Sequence, residues 1–75
     1  MTLSDGAIGE TYRVREINLE TAVKRRFEIL GMTVNSAVTV LNKKRRGAEI
    51  IKIRGTRFAI GKEFAEGIVV GGESE

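Results

Sequence analysis

NLETAVKRRFEILGM, residues 18–32, is the stretch whose reading decides the fold. Leu19, Val23, Phe27 and Leu30 recur at spacings of four, four and three, the period of a helix with one apolar side, and Ala22 falls on the same side. Asn18 is a suitable N-cap and Glu20 a favourable first-turn acid, with Thr21 as the alternative start. Gly31 stands where a left-handed residue closes a helix. At about 100° per residue, Lys24, Arg25 and Glu28 project opposite the apolar arc. Arg26 lies at its shoulder, where the stem covers apolar surface and the head reaches water. The reading is a helix that plugs a small core and wears its charge outside. A helix that reads a nucleic-acid groove needs polar side chains for base edges beside its phosphate contacts, and Lys24, Arg25 and Glu28 offer too few.

The flanks read as strands. TYRVREI (11–17) alternates from Tyr12 to Val14, then slips, because Ile17 is out of phase; a bulge or strand end is expected near Arg15 or Glu16. Val38 and Val40 alternate in one arm of a hairpin, Ile51 and Ile53 in the other, with Asn42 to Gly47 as the connection. A tighter turn is expected at Gly55 and Thr56, then a strand with Phe58 and Ile60 on one face. GKEFAEG (61–67) has room for a single helical turn, IVV (68–70) makes a last strand, and residues 71–75 read as a flexible acidic tail. Five short strands and one helix predict a mainly β domain over residues 1–70. It is a small curled barrel whose last strand returns to the first, which removes exposed edges.

Composition excludes several kinds of chemistry. The 75 residues include no cysteine and no histidine, so thiolate catalysis, Ser-His-Asp triads and zinc sites with nitrogen or sulfur ligands are unavailable. An enzyme is not expected. The glycines do not form a Walker or Gly-x-Gly-x-x-Gly cradle. No apolar run approaches the ~20 residues of a membrane span, and MTLSDGAIGE has no signal-peptide pattern, so a cytoplasmic protein is expected.

The net charge of +3 hides a segregated distribution: residues 43–62 carry eight bases and only Glu49, whereas residues 63–75 carry four glutamates and no base. Lys43, Lys44, Arg45 and Arg46 are the sharpest surface feature. They suit an acidic protein face or anionic headgroups, or else form a solvated loop whose like charges discourage edge pairing. Nucleic acid is a poorer match, since no aromatics interleave with the cations. Ile29 and Met32 are further contact candidates, with burial in the core as the alternative. Glu63 and Glu66 stand three apart, so one turn brings them to one side. They are the candidate metal ligands, although acids flanking a solvated turn share that spacing, and tight iron binding by the isolated chain is not expected.

The order and spacing of these elements resemble the FeoA family of small accessory proteins of bacterial ferrous-iron transport. In that family a helix rich in Arg, Leu and Glu ends in Leu-Gly and an apolar residue. Here these are Arg25, Arg26, Phe27, Leu30, Gly31 and Met32. Leu3, Gly9, Gly55 to Ile60, Glu63, Ala65 and Ile68 to Val70 continue the match. The usual Pro-Gly after the helix is replaced by TVNS (33–36), and the often apolar hairpin tip by NKKRRG (42–47). The resemblance implies an SH3-like β-barrel without catalytic activity. It further implies binding to the cytosolic G-protein region of the ferrous-iron transporter FeoB, peripheral membrane contact through that partner, and association with ferrous or another transition-metal ion. The residues expected to meet the partner are Lys43, Lys44, Arg45, Arg46, Ile29, Leu30, Gly31 and Met32. The alternatives are a basic barrel that binds nucleic acid and a regulatory domain like that of iron-dependent repressors.

Overall fold

The computed structural model describes residues 1–72. Five antiparallel strands form one sheet in the order β4-β3-β2-β1-β5. They are β1 (Thr11–Ile17), β2 (Ala37–Lys43), β3 (Glu49–Ile53), β4 (Thr56–Ile60) and β5 (Ile68–Gly72). Helix α1 (Thr21–Ile29) lies between β1 and β2, and one helical turn, α2 (Lys62–Ala65), lies between β4 and β5. The first and last strands pair as expected, Val14 opposite Val70, but β4 and β5 stand at the two ends of the sheet without pairing each other, so the closure does not remove the edges as the sequence suggested. No helix among the described residues is long and apolar enough to cross a membrane.

The alternation of apolar residues fills one face of the sheet. Val14, Val38, Val40, Ile51, Ile53, Ile60, Ile68 and Val70 are buried together with Leu3, Ile17, Met32 and Ala65. The slip expected in β1 is a bulge between Val14 and Glu16, which lets both Val14 and Ile17 face inward across it. The strand therefore continues to Ile17. A second bulge interrupts β2 between Val40 and Asn42. The β3–β4 turn consists of Arg54 and Gly55, one residue earlier than the sequence suggests. Both have positive φ, 51° and 82°, the signature of a two-residue I′ hairpin. β5 runs on through Gly71 and Gly72, which pair with Arg13 and Tyr12, so these two belong to the strand and not to the expected tail, whose residues 73–75 lie outside the described region.

Helix α1 starts at Thr21 with Glu20 at the cap, not at Asn18. The Asn18 N–H instead donates to the Gly67 carbonyl at 2.7 Å, which ties the approach of the helix to the turn before β5. Phe27 is the buried residue of the helix, with Val23 and Leu19 packed against the core edge. Its ring stacks on Phe58 of β4, centroids 6.2 Å apart, and meets Phe64 of α2 edge-on at 5.9 Å. Burying such a ring stabilises by about 1.5–3 kcal/mol. The plug is narrower than the four-residue arc, because Leu30 falls at the C-cap and is 40% exposed.

At Gly67 the backbone passes too close for a side chain: a Cβ would lie 2.6 Å from Leu19 Cδ2 and 2.7 Å from the Asn18 carbonyl oxygen. Gly67→Ala is expected to destabilise the domain by roughly 1–3 kcal/mol, an overpacking cost. Urea unfolding monitored by circular dichroism measures it, and an unchanged midpoint would contradict the close approach.

Candidate partner-docking surface

Three places carry the sequence-derived candidates: the β2–β3 tip, the end of α1, and α2. At the tip the strands part after the Lys43–Glu49 pair, and the Lys44 N–H closes the loop by donating to the Ala48 carbonyl at 2.7 Å. Arg45–Gly47 make one 3-10 turn in which Arg46 (φ 65°) and Gly47 (φ 80°) are both left-handed. The left-handed backbone favours glycine at 47, and a Cβ there would also approach Lys62 Cδ to 2.8 Å. The Lys62 stem therefore lies across the tip and brings one more cation there. Lys44, Arg45 and Arg46 are exposed, and among the described residues none of them has an ion-pair or side-chain hydrogen-bond partner.

Lys43 behaves differently. Its Nζ donates to the Ser4 carbonyl oxygen at 3.2 Å and lies 3.7 Å from Glu49 Oε2, an ion pair too long for a hydrogen bond. Glu49 is 1% exposed, and among the described residues neither carboxylate oxygen has a hydrogen-bond partner. Burial pushes its carboxyl above the usual range, and Lys43 opposes the rise. Lys43 thus serves a core carboxylate and the N-terminal turn, while the residues beyond it are free to meet something else. Asp5, in that same turn, shifts the other way, because the Thr2 N–H donates to Oδ2 at 3.0 Å.

The end of α1 is a Schellman motif. The Met32 N–H donates to the Phe27 carbonyl at 2.8 Å and the Gly31 N–H to the Glu28 carbonyl at 3.0 Å, with Gly31 at φ 103°. The reversal carries Met32 into the core, where it is 0% exposed. This corrects the expectation for Met32: it packs beneath the corner and offers no surface. Ile29 is 86% exposed and stands beside Leu30 on the surface. In place of Pro-Gly, Asn35 takes a positive φ of 77°, and the buried Ser36 hydroxyl donates to the Gly31 carbonyl at 3.0 Å while accepting from the Thr33 N–H at 3.1 Å.

The corner and the tip are not one surface. Gly31 abuts Arg54 and Ile53, at the far end of β3 from the tip. The strand between them spans about 13 Å. Glu63 lies within α2 and Glu66 caps it, both exposed, and no group of three or more metal-ligating side chains gathers among the described residues. With oxygen donors alone the chain does not fit a zinc-type site. Sequence reasoning missed Lys62 at the tip, because the loop contact that brings it there is long-range. It also missed Lys52 and Arg57, which face each other across β3 and β4. Their symmetric placement about Arg54-Gly55 was the available signal.

Sheet order, closure of the first strand on the last, and a single plugging helix define a small SH3-like β-barrel. The FeoA domain profile matches residues 1–71, and the chain belongs to the FeoA family. It is similar to the FeoA protein of Chlorobium tepidum, with 30% identity and a TM-score of 0.87 over 93% of this chain and 68% of that one. It is also similar to zinc-complexed FeoA of Stenotrophomonas maltophilia, described as a prokaryotic SH3-domain protein and a candidate ferrous-iron transport activating factor. The identity there is 28% and the TM-score 0.79, over 95% of this chain and 89% of that one. A manganese-dependent transcriptional repressor shares the fold, at 24% identity and a TM-score of 0.83, over 93% of this chain and 40% of that one. Among curated proteins no significant match is found.

The raised carboxyl of Glu49 has a defined sign. Between its ordinary value of about 4.3 and its raised value, the folded chain holds a proton that the unfolded chain has lost. This contribution to stability is full below that window and lost above it. Glu49→Met should therefore gain stability relative to the parent as pH rises from 4 to 7. Thermal melts across that range measure the difference, and a difference that shrinks with pH would contradict the assignment.

Proposed function

We propose that this chain is a non-enzymatic accessory module of ferrous-iron uptake that docks on the cytosolic region of the transporter FeoB and modulates transport. Membership of the FeoA family supports the accessory role. The observation that carries the docking reading is the β2–β3 tip. Lys44, Arg45 and Arg46 are held out on a closed loop, unpaired among the described residues, while the adjacent Lys43 is tied to Glu49 and Ser4. A fold that needed these cations for itself would pair them. Left free, they raise association rates with an acidic face and fix its orientation. Ile29 and Leu30 form a separate apolar contact about a strand's length away. The lack of imidazole and thiol supports a role exerted by binding, in which nucleotide chemistry and ion passage belong to the partner.

The triple variant Lys44→Ala, Arg45→Ala, Arg46→Ala is expected to weaken binding to the transporter's cytosolic region about tenfold at low ionic strength and to flatten its salt dependence. Titration calorimetry at two salt concentrations measures both. Unchanged affinity would remove the tip from the interface, and no binding by the parent chain would overturn the reading.

A further inference from the structure

The sheet has two outer edges, and they are treated differently. The β5 edge is covered by the chain itself: Thr2 bridges to Val69, and the Met1 carbonyl accepts from the Val70 N–H at 2.9 Å. Among the described residues the β4 edge has no neighbouring strand. In a two-residue hairpin the flanking pair, here Ile53 and Thr56, is hydrogen-bonded, and bonded and non-bonded pairs then alternate along the ladder. Thr56, Phe58 and Ile60 accordingly bond inward to β3, whereas Arg57 and Ala59 turn their N–H and C=O groups outward. No turn, loop or cap hydrogen bond among the described residues reaches those groups.

The charge around this edge is one-sided. Lys52 of β3 lies directly opposite Arg57, Arg54 stands in the adjoining turn, and residues 50–62 contain no acid. Among the described residues Lys52, Arg54 and Arg57 have no ion-pair partner. Like charges facing each other across a ladder disfavour the folded sheet. An edge strand needs only its own charge to discourage aggregation, so Lys52, on the inner neighbour, adds nothing to that protection. A second copy of this chain would bring a matching set of cations against the first.

We propose that the outer edge of β4 is a docking edge that accepts an extended, acid-bearing segment of another protein as a sixth strand. Its backbone would bond to Arg57 and Ala59, and acids at alternate positions would lie over Lys52 and Arg57. The exposed Ala59 leaves the neighbouring position on that face open. The inference rests on the reading that the chain acts by docking on a larger protein, and adds the chemistry of what it grips.

The probe is an eight-residue peptide alternating glutamate and valine, titrated into labelled protein and followed by NMR. Binding should slow amide exchange at Arg57 and Ala59. Ala59→Pro removes an outward N–H at an edge position where proline is tolerated, and should weaken binding about tenfold, as should Arg57→Glu. The tip triple variant should change it less than about threefold. If Ala59→Pro loses its dispersed spectrum, a peptide N-methylated at alternate positions, added to the parent protein, replaces it and should not bind. Absence of binding at millimolar peptide, equal binding by Ala59→Pro, or shifts confined to residues 43–47 would each overturn the proposal. A parallel titration with the transporter's cytosolic region separates the two readings. Parent-like affinity of Ala59→Pro there sinks the edge and leaves docking intact. Failure of the parent chain to bind there, with the peptide still bound, sinks docking on that transporter and leaves the edge.

Discussion

Phe27 is the wedge on which the arrangement depends. A nine-residue helix is too short to be stable on its own in water and takes its stability from packing. Here that packing is concentrated in one ring set between Phe58 and Phe64. The three rings join the helix to β4 and to the turn leading into β5, which are the two ends of the sheet that strand pairing leaves apart. The Schellman reversal four residues later sends Met32 back beneath the same region. Helix position, edge-strand position and the entry to β2 are therefore set together, so the surface features at either end of β3 have a fixed separation.

On that frame the charges divide into two kinds. Lys43 faces an interior carboxylate that has no hydrogen bond, a pairing that costs desolvation and gives little in return at 3.7 Å. The remaining cations of residues 44–62 bind nothing within the described chain, and two of them, Lys52 and Arg57, oppose each other. Surface ion pairs are worth at most about 1 kcal/mol, so leaving these groups unpaired costs the fold little while concentrating positive potential on the β2–β3–β4 side.

Much of this was legible in the sequence because it is periodic. Period two gave the strands of the two hairpins, its interruption at Arg15 and Glu16 located the bulge, and period 3.6 gave α1 with Phe27 at its centre. What could not be read was set by chain reversals. Leu30 leaves the apolar arc of the helix and Met32 enters the core because the Gly31 turn exposes the first and buries the second, and no helical wheel extends past a left-handed residue. Asn18 has the chemistry of a cap, yet the helix begins at Thr21, and the Asn18 N–H anchors the approach to Gly67, a contact across nearly fifty residues of chain. Glu49 is in phase with Ile51 and Ile53 on the inner face, a signal present in the alternation of β3 that the sequence reading counted only as a charge. At the candidate site the basic run could be read directly, but its distance from the Leu30 corner could not, because both lie in loops and their spacing is set by β3.

The way the barrel closes bears on how the chain is made. Tyr12 and Val14 find half of their ladder in Gly72 and Val70, and Met1 and Thr2 rest on Val70 and Val69, so the opening residues of the domain have no partner until its last strand is in place. While the ribosome still holds the last strand, β1 can pair with β2 but its other side stays open, and the N-terminal turn has nothing to lie against. Closure over so much intervening chain is entropically slow and comes only after the whole domain has left the ribosome.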